Sequence, residues 1–213
     1  MNTDQLIDKL VAEGAHKPLP HPMLQALFWL TGTLVYLAAL SGYNGFRADI
    51  AEKFSETLYF AEVALMSLTA MSAGLAALYL SRPDCRQMPW IKYVPFGFLV
   101  FWAAVAFTES EMLNVTNIFY TVTLCEFDCL WYIFLFSTPP GIALFLVIRA
   151  GAPVQCCWAG TMATLSVTAF GYLCMRFVEM NDNPAHLLVW HALPVMMMCS
   201  AGMIAGKYAL RWR

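Results

Sequence analysis

The sequence predicts an all-α integral membrane protein, a six-transmembrane-helix bundle preceded by a short amphipathic N-terminal helix. Of its 213 residues, 60% are hydrophobic and 12% are charged, which is too apolar a composition for an ordinary soluble domain. Charge-free runs of roughly 20 residues, the length that crosses a bilayer as a helix, also recur along the chain. These runs cover residues 23–42, 63–81, 93–108, 129–148, about 155–175 and about 184–206. The third run is the shortest and contains Pro95.

The distribution of basic residues orients the predicted spans. Lys and Arg concentrate in the cytoplasmic loops of membrane proteins. If both termini are cytoplasmic, the cytoplasmic side holds Lys9, Lys17, Arg82, Arg86, Lys92, Arg149, Lys207, Arg211 and Arg213. The outer side then holds only Arg47, Lys53 and Arg176. This asymmetry predicts a multi-pass protein with its N- and C-termini in the cytoplasm.

Charge and composition exclude a nucleic-acid-binding protein. The formal net charge is -2, and no basic run is available to neutralise phosphates. Residues 1–22 lack the basic start, apolar centre and cleavage site of a removable signal peptide, so we expect them to stay attached. We therefore divide the chain into a cytoplasmic N-terminal segment, 1–22, and a transmembrane domain, 23–213.

Small residues and prolines mark particular spans. Small residues at helical spacing in the second and fifth spans predict close helix packing. They are Ala70, Ala73, Gly74 and Ala77, and Gly160, Ala163, Thr164 and Ala169. Pro139 and Pro140 in the fourth span and Pro194 in the sixth remove backbone donors, so we expect these helices to kink.

The N-terminal segment contains one amphipathic helix of about three turns, with Thr3 as its cap and Gly14 as its end. Its apolar residues fall on one face and are Leu6, Ile7, Leu10 and Val11. So short a helix is marginal alone in water and needs an apolar surface, which is either lipid or a partner protein. The polar face carries Asp4, Asp8 and Glu13 against one basic residue, Lys9. An anionic leaflet disfavours this acidity, which therefore favours a protein partner.

Two of the seven cysteines, Cys129 and Cys174, stand at the same predicted depth. Cys129 opens the fourth span and Cys174 closes the fifth, so both lie at the outer boundary. Asp128 and His186 are close in depth, and thiolate, imidazole and carboxylate ligands together suit zinc, cadmium or copper. An oxidant could instead join the two sulfurs. A cysteine in a membrane span is also commonly a small apolar packing residue. Further ionisable residues at this depth are Cys125, Glu179, Asp182 and, about a turn deeper, His191.

Two other functional classes are compatible with outer-face thiols. A quinone-coupled membrane thiol oxidoreductase would also keep cysteines there, but it normally needs a closely spaced reactive pair. The carboxylates of the C-E-F-D-C motif disfavour a thiolate. A metal transporter would need ionisable residues in mid-bilayer, and only His191 comes near that position.

An ordered set of short motifs resembles a known family. These motifs are T-D-Q-L-I-D-K-L near the start, D-C-L-W and P-P in the fourth span, R-A-G-A-P after it, Y-L-C closing the fifth, N-P-A-H-L-L-V-W-H leading into the sixth, and the terminal L-R-W. They resemble the NrsF-like membrane anti-sigma factors, which are negative regulators of extracytoplasmic-function sigma factors in bacteria. The resemblance is densest from Asp128 to Trp212. Cys125, and His191 with Pro194, depart from the family pattern.

The resemblance implies a six-span protein of the bacterial inner membrane that is not an enzyme. Its cytoplasmic N-terminus would hold a sigma factor away from RNA polymerase, with Leu6, Ile7, Leu10 and Val11 as the docking stripe. Cys129 and Cys174 would be the family's pair of extracytoplasmic cysteines, which are associated with sensing metal or oxidative stress.

We therefore expect a membrane-bound anti-sigma factor that releases its sigma factor when the outer cysteines are oxidised or metallated. Its partners would be an extracytoplasmic-function sigma factor and membrane lipid. It would require no cofactor and would bind only a transient metal ion at the outer face, held by Cys129, Cys174, Asp128 and His186.

Overall fold

The computed structural model describes residues 2–13, 20–83, 88–110 and 127–211. Within these ranges the chain forms helices and connecting turns and contains no β-strand, so the prediction of an all-α protein is confirmed there. The helices are α1 (Thr3–Glu13), α2 (Pro22–Asn44), α3 (Ile50–Lys53), α4 (Thr57–Leu80), α5 (Val94–Ser110), α6 (Phe127–Ala150), α7 (Cys156–Val178), α8 (Pro184–His186) and α9 (Leu193–Ala209). A π-helical segment (Leu187–Ala192) joins the last two.

Five helical segments in the described ranges are long and apolar enough to cross a membrane. They are α2, α4, α6, α7 and the continuous helix Pro184–Ala209, which consists of α8, the π-helical segment and α9. Each of the five overlaps a predicted span. The third predicted span corresponds to α5, whose apolar stretch, Val94–Ala106, is shorter than the other five.

The bundle has two ends, which we call the cluster end and the tail end. At the cluster end, where α2 and α7 finish and α6 begins, the Arg47 backbone N–H donates to the Phe177 carbonyl oxygen (2.9 Å). At the tail end, the Arg82 guanidinium, just after α4, donates to the Pro20 carbonyl oxygen, just before α2. Helix α2 therefore connects the N-terminal tail with the cluster end.

Helix α7 is the central helix of the bundle, with 83% of its most apolar stretch buried. On one side it packs on α4, where the Ser166 hydroxyl donates to the Ala70 carbonyl oxygen (2.6 Å) and Ala70 and Ala73 are fully buried. On the other side Gly160 lies against Gly202 of α9. Ala70 and Gly160, two of the predicted small residues, thus lie at contacts between neighbouring helices.

A methyl group added at Gly160 should destabilise the bundle, whereas the same addition at Gly32 should not. A Cβ at Gly160 would lie 2.2 Å from the Gly202 carbonyl oxygen, so α7 and α9 would have to separate, but a Cβ at Gly32 meets no atom within 4 Å. We expect Gly160→Ala to lower the free energy of unfolding in mixed micelles by about 1–3 kcal/mol, the usual cost of overpacking. Equal stability of Gly160→Ala and Gly32→Ala would contradict this packing.

The prolines affect the two helices differently. Helix α6 continues through Pro139 and Pro140, which lack backbone N–H donors. The Trp29 indole N–H donates to the Pro140 carbonyl oxygen (3.0 Å), so α2 and α6 are hydrogen-bonded at this point. Pro194 is the second residue after the π-helical segment, which ends at Ala192. The backbone disturbance expected in the sixth span therefore includes a widened helical turn before Pro194.

Helix α1 carries an exposed apolar face. Leu6, Ile7 and Val11 are 41%, 52% and 74% exposed. The Asn2 side-chain oxygen accepts a hydrogen bond from the Asp4 N–H (3.0 Å), so the capping residue is Asn2, one position before the predicted Thr3. The predicted end of this helix, residue 14, lies outside the described residues.

Candidate functional site

Four ionisable side chains converge at the cluster end, and we call them the Cys–His–Glu cluster. Glu179 lies between two imidazoles: its Oε1 is 3.0 Å from His186 Nε2 and its Oε2 is 2.9 Å from His191 Nε2. Cys129 Sγ donates to Glu179 Oε2 (3.4 Å) and lies 3.6 Å from His186 Nε2. One potential ligand atom from each residue lies within 4.8 Å of the other three.

Three parts of the chain supply this cluster. Cys129 lies in the first turn of α6 and is 7% exposed. Glu179 directly follows α7 in an extended conformation (φ -86°, ψ 138°), so the helix ends there. The Asn183 side-chain oxygen accepts a hydrogen bond from the Ala185 N–H (3.0 Å), and Pro184 occupies the first turn of α8. Both features favour the start of a helix. A short connector, residues 179–183, therefore separates α7 from the last helix.

The π-helical segment places both histidines against one carboxylate. His186 and His191 are five residues apart, and in an α-helix that spacing leaves two side chains about 140° apart around the axis. Here the Leu193 N–H donates to the Leu188 carbonyl oxygen, five residues back. A turn of this kind brings residue i+5 nearly above residue i, and single π turns are frequent at functional sites.

The cluster is mostly buried. His186 and His191 are 1% and 0% exposed, whereas the Glu179 side chain keeps 21% of its surface and is the most accessible member. Burial acts to raise the pKa of the Glu179 carboxyl, but the hydrogen bonds with His186 and His191 outweigh it and hold that pKa well below its usual range. Glu179 is therefore ionised at neutral pH.

A second charged group adjoins the cluster through the same connector. Asp182, three residues after Glu179, accepts hydrogen bonds from Arg47 (2.8 and 2.9 Å) and Arg176 (2.8 Å) and lies 3.0 Å from Lys53 Nζ. Both arginines are buried. Burial acts to raise the pKa of Asp182, but its cationic partners hold that pKa well below its usual range. Asp182 thus links the residues just after α2 to the end of α7.

Glu62 of α4 extends this charged group. Its two oxygens accept hydrogen bonds from Arg176 (2.9 and 3.0 Å), and the Tyr172 hydroxyl also donates to it. The Tyr172 ring packs edge-on against the His191 ring, with 5.7 Å between the centroids. A continuous set of contacts therefore leads from the Cys–His–Glu cluster to α4 and, through Asp182, to the end of α2.

The structure brings together two of the four residues predicted for metal binding, Cys129 and His186. Cys174 has a different partner, because its Sγ lies 3.1 Å from the Ser41 Oγ at the contact between α7 and α2. Asp128 is exposed and is not a member of the cluster. No disulfide joins Cys129 and Cys174.

Sequence reasoning includes neither Glu179 nor His191 among the predicted ligands. For His191 the reason is the π-helical segment, since an α-helical interpretation places His191 a turn deeper than His186. One signal in the sequence is Pro194, which lacks the N–H that an α-helix needs at that point and so favours a locally altered turn. Cys125, which the sequence places at the same depth, lies outside the described residues.

These observations define the class of protein. Helices long and apolar enough to span a membrane enclose a buried thiol–imidazole–carboxylate cluster at one end, and a short helix with an uncovered apolar face precedes them. In the described ranges this is an all-α protein with five helices long and apolar enough to cross a membrane and a polar site between its helices. A family model described as NrsF, negative regulator of sigma F, matches residues 11–212. The chain therefore belongs to this family of negative regulators of a sigma factor.

The family match confirms the resemblance seen in the sequence. It includes all four residues of the Cys–His–Glu cluster. Of the predicted docking stripe it includes only Val11, because the other three residues precede the matched region. No curated protein and no solved structure matches the chain significantly.

Proposed function

We propose that this protein is a membrane-bound anti-sigma factor of the bacterial inner membrane, acting by binding and not by catalysis. It holds an extracytoplasmic-function sigma factor at its cytoplasmic N-terminus. It releases that factor when metal or oxidative stress acts on thiols at the outer side, for which Cys129 and Cys174 are the candidates. The family match supports the regulatory role. Six spans with both termini in the cytoplasm, as the basic residues favour, complete the proposal.

The exposed apolar face of α1 is the observation that carries the docking role. Leu6, Ile7 and Val11 are open to solvent, and three helical turns are marginal unless such a face packs against another surface. A hydrophobic groove in a partner accepts an amphipathic helix in this way. The acidic residues of α1, Asp4 and Asp8, favour a protein groove over an anionic leaflet. Leu10 belongs to the same proposed stripe.

The two proposed functional regions communicate through the bundle. Helix α2 begins near the tail and ends three residues before Arg47, which contacts Asp182 at the cluster end. Release requires only that two states of the bundle differ in their affinity for the sigma factor. A difference of about 3 kcal/mol corresponds to roughly a hundredfold change in affinity.

Two acidic substitutions on the apolar face should abolish sigma-factor binding. We expect Leu6→Asp/Ile7→Asp to weaken binding by at least about 30-fold, since losing one interface hot spot costs about 2 kcal/mol. The matched control is Gln5→Asp/Ala12→Asp, which adds the same charge on the opposite, exposed face of α1 and should bind normally. The measurement is co-purification of tagged full-length chains from the native host, with bound proteins identified by mass spectrometry.

The outcomes separate the docking surface from the anti-sigma role. Recovery of a sigma factor with both double variants would exclude the apolar face, and a chain lacking residues 2–14 would then show whether the tail contributes. If the unaltered chain recovers no sigma factor, the anti-sigma proposal fails. The membrane thiol oxidoreductase would then be tested through the effect of Cys129→Ser on disulfide formation outside the cytoplasmic membrane.

A further inference from the structure

We propose that the Cys–His–Glu cluster binds one divalent metal ion of the zinc class, Zn²⁺ or Cd²⁺, with Cys129, Glu179, His186 and His191 as ligands. This ion is the stimulus that the protein senses, and Cys174 takes no part in holding it. The regulatory half of this inference rests on the proposed function, whereas the metal site itself does not.

The donor set matches a zinc site in kind and number. Zinc takes four ligands from Cys, His and Asp or Glu in tetrahedral geometry, and softer ions such as Cd²⁺ accept the same thiolate-containing sets. Ca²⁺ and Mg²⁺ prefer shells of oxygen ligands. The cluster offers one thiol, two imidazoles and a single carboxylate, so its chemistry selects zinc-class ions over hard cations.

The distances between the donors are already close to those around a bound ion. Zinc–ligand bonds of roughly 2.0–2.3 Å in a tetrahedron place neighbouring donors about 3.3–3.8 Å apart. Cys129 Sγ lies 3.4 Å from the Glu179 carboxylate and 3.6 Å from His186 Nε2. The two histidine–carboxylate distances are 3.0 and 2.9 Å. One ligand atom from each residue lies within 4.8 Å of the other three, so shifts of about 1 Å would convert this hydrogen-bonded cluster into a coordination shell.

The charge around the cluster favours a cation. The two buried arginines nearby are matched by the carboxylates of Asp49, Asp182 and Glu62. In the described part of the chain, Glu179 makes its ion pairs with imidazoles and not with Lys or Arg. A bound cation would stabilise the Cys129 thiolate, and the thiol proton would leave to solvent as the metal binds. Each imidazole would then carry its proton on Nδ1, which frees Nε2 for the ion.

The backbone and the burial of His191 also point to a ligand. Ionisable side chains at membrane depth are costly and commonly functional. His191 is fully buried, and its Nε2 lies 2.9 Å from the Glu179 carboxylate. The π turn places the Nε2 atoms of His186 and His191 next to the same carboxylate, that of Glu179. A metal ion shared by both imidazoles explains this arrangement, for which apolar packing gives no reason.

The positions of the two thiols favour metal binding over a disulfide as the sensing event. Cys129 Sγ faces Glu179 and His186, whereas Cys174 Sγ contacts the Ser41 hydroxyl at another helix contact. A metal ion can therefore be held with one of the two thiols. Glu179, the most accessible member, provides the side from which an ion would enter.

The metal site is tested by Co²⁺ titration of the reduced, metal-depleted full-length protein in lipid nanodiscs, without any sigma factor. We expect one Co²⁺ per chain, tetrahedral d–d bands and a thiolate-to-cobalt charge-transfer band. Zn²⁺ should displace the cobalt and Mg²⁺ should not. Glu179→Gln and His191→Ala should each weaken binding at least about 100-fold, since loss of even an outer hydrogen-bond partner costs 10- to 100-fold.

The matched cysteine variants decide the ligand assignment. Cys129→Ser should lose the charge-transfer band while keeping the helical circular dichroism of the unaltered chain, and Cys174→Ser should keep both the band and the affinity. Loss of the band in a folded Cys174→Ser protein, or its persistence in Cys129→Ser, would overturn the assignment. Failure of the unaltered chain to bind Co²⁺ would overturn the site altogether.

A second measurement separates this inference from the proposed function. Zn²⁺ added to the complex of the protein with its sigma factor should release the factor from the unaltered chain and from Cys174→Ser, but not from Cys129→Ser. Cobalt binding without zinc-induced release would overturn the regulatory half and leave the metal site standing. If no complex with a sigma factor can be isolated, the proposed function fails and the metal site is unaffected.

Discussion

Arg176→Leu should lower the free energy of unfolding in mixed micelles by about 3–5 kcal/mol, the usual cost of breaking a buried ion pair from one side. The substitution leaves the Glu62 carboxylate, which is 5% exposed, without its cationic partner. It also removes a donor to Asp182. A buried carboxylate without a compensating charge is far more costly than the intact pair or an apolar replacement of both partners.

The double variant Glu62→Leu/Arg176→Leu should recover most of this loss, because both charges leave the interior together. The double variant should remain about 1 kcal/mol less stable than the unaltered chain, since the Tyr172 hydroxyl loses its acceptor, Glu62. Glu56→Gln provides a control for general charge effects. It removes an exposed ion pair with Lys53 and should cost less than about 1 kcal/mol. A double variant no more stable than Arg176→Leu would contradict the importance of this pair.

Asp182→Asn should separate metal binding from sigma-factor release. Glu179 and Asp182 belong to the same five-residue connector, 179–183, and Asp182 holds the guanidinium of Arg47, just beyond α2. An amide keeps the shape of the carboxylate but supplies no charge to the two arginines. We expect Zn²⁺ to weaken sigma-factor affinity about 100-fold in the unaltered chain, a coupling of about 3 kcal/mol, and to have little effect in Asp182→Asn.

Asp49→Asn is the matched control for this coupling. Asp49 also accepts hydrogen bonds from Arg47 (2.7 and 2.9 Å). It lies two residues after Arg47 in the chain, so this ion pair is local and does not reach residues 179–183. Its variant should retain zinc-induced release. The measurement is sigma-factor affinity in nanodiscs with and without Zn²⁺, accompanied by Co²⁺ titration. Normal release from Asp182→Asn would exclude Asp182 as the link and direct attention to the contact between Tyr172 and His191.

The elements of the fold that depend on local composition are predictable from the sequence. The apolar runs locate α2, α4, α6, α7 and the last helix, because a helix that can cross a hydrocarbon layer needs roughly 20 apolar residues in sequence. The exposed face of α1 follows from helical periodicity. The small residues of α4 and α7 indicate close contacts, although the sequence does not specify that Gly160 faces α9 while Ala70 faces Ser166.

The candidate site is only half predictable from the sequence. Cys129 and His186 are brought together as expected, since both lie near the start of a helix that is long and apolar enough to cross a membrane. Cys174 shares that depth, but its side chain meets Ser41, because depth along a helix does not fix direction around it. Glu179 and His191 enter the cluster through a chain reversal and a π turn, neither of which follows from a spacing rule for α-helices.

The sequence by itself determined the helices long and apolar enough to cross a membrane, the amphipathic tail helix and the presence of thiols near the ends of two of these helices. These properties depend on residue type and local period. The tertiary structure alone decided which side chains meet. Arg47 and Asp182 are 135 residues apart in the chain and form an ion pair, and Glu179 holds two histidines through a local change of helical period. The physical reason is that the rotation of each helix about its axis is determined by its neighbours' side chains, which local composition does not specify.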